Sequence, residues 1–271
     1  MQPLRFLGLH SFQWILLLVA FMTALLLSDA WAGHYRRDFT HVVQYVPFPV
    51  GGLLIICALA TTIAPHSRPF SLALQVTGWL SVAAGVSGFG FHHYYGMVRK
   101  PGGYRRWVDS VMYGAPPLAP LALSLMGAFA LTARRGELGQ TEVAGIAIGT
   151  VLLMMTVVGL CGAIAQAAIL HFRGAFNNPL MYTPLTVPLL AVIAGIWMMV
   201  APSSAARAAT ICLLWLTFLT GFVGLGMHLR GFDRQMAGLY VPLFNWLQGP
   251  PAFAPALFAG LAALGLVLVV S

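Results

Sequence analysis

Four apolar stretches of this chain end in histidine, reading His34-Tyr-Arg-Arg, His93-Tyr-Tyr-Gly, His171-Phe-Arg-Gly and His228-Leu-Arg-Gly. Neutral imidazole is a common metal ligand, and its two nitrogens can also hydrogen-bond. Two facing imidazoles can hold a haem iron. A single histidine at a helix end says little, because the negative end of the helix dipole favours a partly cationic ring there. Four at equivalent places read as a set. His34, His93, His171 and His228 are therefore candidates for ligating haem b or hydrogen-bonding a quinone, with His92 a rival to His93 as a metal ligand.

Arg37 and Arg99 lie on the same face, and arginine follows three of the four histidines at two residues, as Arg36, Arg173 and Arg230. Guanidinium groups take carboxylates and phosphates in bidentate fashion, so these three can hold haem propionates, lipid headgroups or an acidic partner. Asp29 is an acidic residue inside an apolar run, and it can orient a histidine, pair with Arg36 or relay a proton. Aromatic residues gather on the same side, among them Trp31, Tyr35, Tyr45, Tyr94, Tyr95, Tyr104, Trp107, Tyr182 and Trp246. This is the composition of a membrane–water interface.

The elements that must position these residues are membrane helices. Of 271 residues 59% are hydrophobic and 7% charged, with a mean hydropathy of +0.86. Soluble domains carry about 25% charged residues, so a soluble enzyme is excluded. Eight apolar runs, each near the roughly 20 residues a bilayer requires, cover 12–32, 47–64, 72–95, 116–133, 143–170, 184–201, 207–228 and 251–270. The expected fold is an all-α membrane protein of eight transmembrane helices. Strands are not expected, because the runs do not alternate. The first run, with Arg5 before it and Ala30-Trp31-Ala32 near its end, also has the form of a cleavable signal peptide.

An internal duplication argues for keeping that run. His34, Arg36, Phe39, Tyr45, Pro47 and Val50 recur 137 residues later as His171, Arg173, Phe176, Tyr182, Pro184 and Val187. Gly85, Gly88, Gly90 and His92 recur at offset 136 as Gly221, Gly224, Gly226 and His228, but Gly114-Ala-Pro-Pro-Leu-Ala-Pro120 stands 135 before Gly249-Pro-Pro-Ala-Phe-Ala-Pro255. This one-residue slip leaves His92 and His93 as rival counterparts of His228. Residues 1–135 and 136–271 thus read as two four-helix repeats with the same orientation in the bilayer, all four histidine ends lying at one face. Asp29 corresponds to Gln166. Nine of the fourteen cations lie on the histidine face, which the positive-inside rule places in the cytoplasm. The short N-terminal tail before a long apolar run points the opposite way.

Several chemistries have no support. Cys57, Cys161 and Cys212 are dispersed, so there is no C-x-x-C-H for covalent haem c and no cluster for iron–sulfur or zinc. No nucleotide motif or H-E-x-x-H is present. The pI near 9.9 comes from membrane connections and implies anionic lipid or a protein partner, not nucleic acid. Asp38, Asp109 and Asp233 read as solvated partners of loop cations, and Glu137 and Glu142 as first-turn acids of the fifth run.

In helix number and paired four-helix halves the chain resembles the integral membrane anchors of respiratory oxidoreductases, some of which bind haem b and others only quinol. His171-Phe-Arg-Gly with Asn178-Pro179 and Tyr182 is similar to uncharacterised bacterial multi-pass proteins associated with periplasmic dehydrogenases. That resemblance implies a subunit of the bacterial inner membrane, and carries no catalytic residue across. The expected function is an integral membrane subunit of an electron-transfer complex, anchoring a peripheral or membrane partner on the histidine face and passing electrons to quinone directly or through haem b. The alternatives are a small-solute or ion transporter, its path marked by Asp29, Gln166 and the histidines, and a scaffold or assembly subunit without cofactor.

Overall fold

A computed structural model describes residues 5–6, 8–235, 237–249 and 251–270; the Arg5 side chain and Pro250 lie outside the described residues. The chain opens with a two-residue hairpin, β1 (Arg5–Phe6) and β2 (Leu9–His10), which leads into α1 (Ser11–Tyr35). A short 3-10 turn precedes α2 (Pro47–Ile63), and α3 (Arg68–His93) returns to the same face. A π-turn and a 3-10 turn lead to a seven-residue surface helix, α4 (Trp107–Tyr113), and then to α5 (Ala119–Glu137).

The order then runs a second time. A hairpin, β3 (Glu142–Val143) and β4 (Ile146–Ala147), precedes α6 (Ile148–Arg173). After another 3-10 turn come α7 (Thr183–Val200) and α8 (Ser204–Asp233). The surface helix α9 (Pro242–Gln248) and α10 (Ala254–Val270) close the chain. The hairpins differ from the strand-free expectation. Each turns through a glycine of positive φ, Gly8 at 80° and Gly145 at 78°, a conformation that favours residues without a Cβ. Proline in the first turn of α2, α5, α7 and α9 fits positions where the missing N–H has no helical acceptor to lose.

Six helices, α1, α2 with its preceding turn, α3, α6, α7 with its turn, and α8, are long and apolar enough to cross a membrane, so this is a multi-pass all-α membrane protein. The other two long helices sit deeper in the bundle. α5 carries Arg134, Arg135 and Glu137 in its last turn, and α10 has 17 residues. Most of α10 from Ala256 to Val269 is buried, as are Leu123, Met126, Phe129, Ala130 and Ala133 of α5.

Within each half the last helix packs on the third, α5 on α3 and α10 on α8. Between halves α1 packs on α10 and α5 on α6, so α1, α5, α6 and α10 form the centre. The surface helices cross over: α4 lies on α6 and α9 on α1. Small residues allow the close approaches. A methyl group on Gly85 would stand 2.6 Å from the Pro120 carbonyl, and one on Gly221 would stand 2.6 Å from the Ala259 nitrogen.

Two acidic residues differ from expectation. Glu137 is the last residue of α5, where its carboxylate takes Arg134 Nη1–H at 2.6 Å, and Glu142 lies in β3. Arg134 is 3% exposed and also donates Nε–H to Ser71 Oγ at 2.9 Å, tying α5 to α3. Arg134 and Glu137 lie three residues apart on one face of α5, which runs four residues past the apolar run that ends at 133.

Candidate functional site

Two of the helix-end histidines meet. His34 and His92 have ring centroids 6.2 Å apart and perpendicular planes, bringing together the ends of α1 and α3. In the second half His171 and His228 stand at the equivalent places, near the ends of α6 and α8. His34 and His92 are the two imidazoles that would hold a metal or haem iron at this face. Among the described residues no group of three or more His, Cys, Asp or Glu side chains is placed to hold a metal ion.

Three of these rings are fixed by backbone. His92 Nδ1 lies 2.9 Å from the Pro116 carbonyl, His228 Nδ1 2.8 Å from the Pro251 carbonyl, and His171 Nδ1 2.8 Å from the Met181 carbonyl. A carbonyl only accepts, so Nδ1 donates and the neutral ring carries its lone pair on Nε2. That is the state needed to ligate a metal or accept a proton. Pro116 and Pro251 stand 135 apart, so the structure gives His92, not His93, the bonding pattern of His228. His93 faces another way and hydrogen-bonds the Tyr104 hydroxyl.

His34 departs from this pattern. Among the described residues no carbonyl holds its ring, and its neighbours are aromatic: Phe39 at 5.9 Å and Phe48 at 6.4 Å. Trp31 closes the group, with ring centroids 5.1 Å from Phe39 and 5.2 Å from Phe48. The turn after α1 places Phe39 through positive φ at Asp38 and Phe39, and Ala175 and Phe176 repeat that geometry after α6. In both halves the phenylalanine then stacks on a tyrosine, Phe39 on Tyr45 at 4.4 Å and Phe176 on Tyr182 at 4.6 Å.

The arginines divide by role. Arg36 Nη1 donates to the Gly249 carbonyl at 2.5 Å, and Arg173 Nη2 donates to the Gly114 carbonyl at 3.0 Å and to Val111 at 3.2 Å, with Nε bonded to Met112. Each arginine thus satisfies the last carbonyls of the other half's surface helix, where a cation also complements the helix dipole. Burial lowers the pKa of Arg36 from the ordinary guanidinium value while Asp29 acts the other way, and the group remains a cation. Arg230 is exposed near the end of α8.

Arg37, next to Arg36 on the histidine face, donates its backbone N–H to the His34 carbonyl at 3.0 Å and is itself exposed. It breaks the repeat, since Gly174 occupies the equivalent position.

Asp29 meets backbone. Its Oδ1 accepts from the Phe253 N–H at 3.2 Å, so a carboxylate on α1 caps the start of α10. Its other oxygen is buried without a hydrogen bond, as are both side-chain polar atoms of Gln166 at the equivalent place on α6. Asp109 takes Arg106 at 2.8 Å on the surface, and the three cysteines are free.

Taken together, the fold and site define a multi-pass all-α membrane protein with four helix-end histidines at one end of its bundle, His34 and His92 in ring contact. Comparison with known families, curated proteins and solved structures finds no match to this chain.

Proposed function

We propose that this chain is the integral membrane subunit of an electron-transfer complex, its eight long helices crossing the bilayer and its histidine face holding quinone or haem b beneath a peripheral protein partner. The observation that carries this reading is the helix-end histidines, three of them held by backbone carbonyls in the tautomer that leaves Nε2 free. Cations on the same face, Arg37 foremost, suit a ligand with carbonyl or carboxylate oxygens or an acidic partner surface. Reduction of the quinone would take two electrons from the partner and two protons, giving quinol. A haem would be held by His34 and His92, whose rings are in contact.

Transport through Asp29 and Gln166 is less well supported, because Asp29 already serves as a helix cap. The test is a dithionite-reduced minus air-oxidised visible spectrum of the purified protein, with alanine variants at His34, His92, His171 and His228. An α-band near about 560 nm lost in two variants identifies a bis-histidine haem pair. A flat spectrum with bound quinone on solvent extraction leaves direct quinone reaction. A folded protein with neither cofactor and no co-purifying redox partner overturns the proposal.

A further inference from the structure

The two halves share backbone geometry at the histidine face, but the side chains around the histidine rings have diverged, and the divergence is one-sided. Trp31, Arg37 and Phe48 of the first half correspond, 137 residues on, to Ala168, Gly174 and Leu185. Beyond α3 the pattern is the same: His93, Tyr94 and Tyr95 correspond at offset 136 to Leu229, Arg230 and Gly231. The features that hold the turns together are kept in both halves, namely the phenylalanine–tyrosine stacks and the crossed arginine caps. Whatever the fold itself requires is therefore duplicated, and the aromatic wall and the extra cation are not part of it.

The first-half site also differs in its histidine. His171 spends Nδ1 on the Met181 carbonyl, whereas the equivalent ring, His34, has no such tie among the described residues and can donate outward. Around it stand Trp31, Phe39 and Phe48, within 5.1 to 6.1 Å of one another, and Arg37 donates its backbone N–H to the His34 carbonyl at 3.0 Å in the turn that ends α1. Trp31 is 42% exposed, so the wall is open on one side.

We infer that the first-half site alone binds the headgroup of a membrane quinone, its ring against Trp31, Phe39 and Phe48 and its carbonyl oxygens accepting from His34 and Arg37. A quinone ring is flat and stacks on aromatic faces, its two oxygens accept hydrogen bonds, and its prenyl tail stays in the bilayer. The second-half histidines, with Ala168, Gly174 and Leu185 in place of Trp31, Arg37 and Phe48, are structural. The inference rests on the proposed redox role of this face only in naming quinone as the planar ligand.

The test uses the full chain in lipid nanodiscs with an azido-ubiquinone photoprobe, peptide mapping, and competition by decyl-ubiquinone. Label is expected between residues 31 and 48 or 92 and 95, and not between 168 and 185. The variant Trp31→Ala/Arg37→Gly/Phe48→Leu, which gives the first half the residues of the second, should lower competed labelling about ten-fold or more, the equivalent of one stacking contact and one charged hydrogen bond. Should that triple variant be poorly folded by size exclusion, Arg37→Gly alone is expected to lower labelling several-fold. Equal labelling of both halves, or undiminished labelling in the folded variants, overturns the inference. A haem band that disappears in the triple variant, without quinone labelling, also overturns it while leaving the electron-transfer role standing. Competed labelling without any redox partner removes that role and leaves the binding site.

Discussion

Arg36 at the end of α1 donates Nη1–H across 2.5 Å to the carbonyl of Gly249, which closes α9 in the other half of the chain. Arg173 returns the contact to α4 with bonds to Val111, Met112 and Gly114. The halves are therefore latched at the histidine face by two crossed arginine caps. Arg173→Ala should lower stability by about 2–3 kcal/mol, since several charged hydrogen bonds to backbone are lost together. Arg36→Ala should cost less, and Lys at either position should restore only part, because an ammonium lacks the planar fork. Thermal unfolding in mild detergent measures this order.

His92 has two separable jobs, a tie to Pro116 through Nδ1 and a free Nε2. Asn places an amide N–H where Nδ1 stands, so His92→Asn should stay within about 1 kcal/mol of the parent, the size of one net hydrogen bond. His92→Ala loses the tie as well. If Nε2 holds the cofactor, both variants lose it alike, so the pair separates stability from binding. Unfolding midpoints read alongside the difference spectrum distinguish the two effects.

Gly85 on α3 and Gly221 on α8 approach backbone atoms of the neighbouring helix, the first at 2.6 Å from Pro120 O for an added methyl and the second at 2.6 Å from Ala259 N. Gly85→Ala and Gly221→Ala should each destabilise by about 1–3 kcal/mol through overpacking against atoms that cannot rotate away. Gly90→Ala and Gly226→Ala, where nothing lies within 4 Å, should be neutral. Folded yield from the membrane fraction compares all four.

Arg134 and Glu137 form a pair whose side chains are 4% and 12% exposed. Glu137→Gln leaves the buried guanidinium with Ser71 as its remaining side-chain partner and should cost about 3 kcal/mol or more. The exposed Arg106–Asp109 pair offers the contrast. Asp109→Asn there should change stability by less than about 0.5 kcal/mol. Both effects are read from detergent unfolding midpoints.

The sequence alone determined the solvent and the elements. Its lack of charge and its long apolar runs require lipid around helices, because backbone polar groups in hydrocarbon must be satisfied within each segment. Each of the eight runs holds a long helix, the fifth after opening in the β3–β4 hairpin, although six meet the length and hydropathy of a span, since α5 ends in charges and α10 is short. Identities at a fixed offset also gave the histidine positions.

Tertiary structure alone decided that His34 and His92 meet, that His92 and not His93 repeats His228, and that Arg36 and Arg173 serve as caps. Adjacent residues on a helix point about 100° apart, so His92 and His93 cannot be told apart until the turn carrying Pro116 is in place. Partners more than two hundred residues apart, such as Arg36 and Gly249 or Asp29 and Phe253, are set by how eight helices pack, a relation among surfaces that no local spacing records.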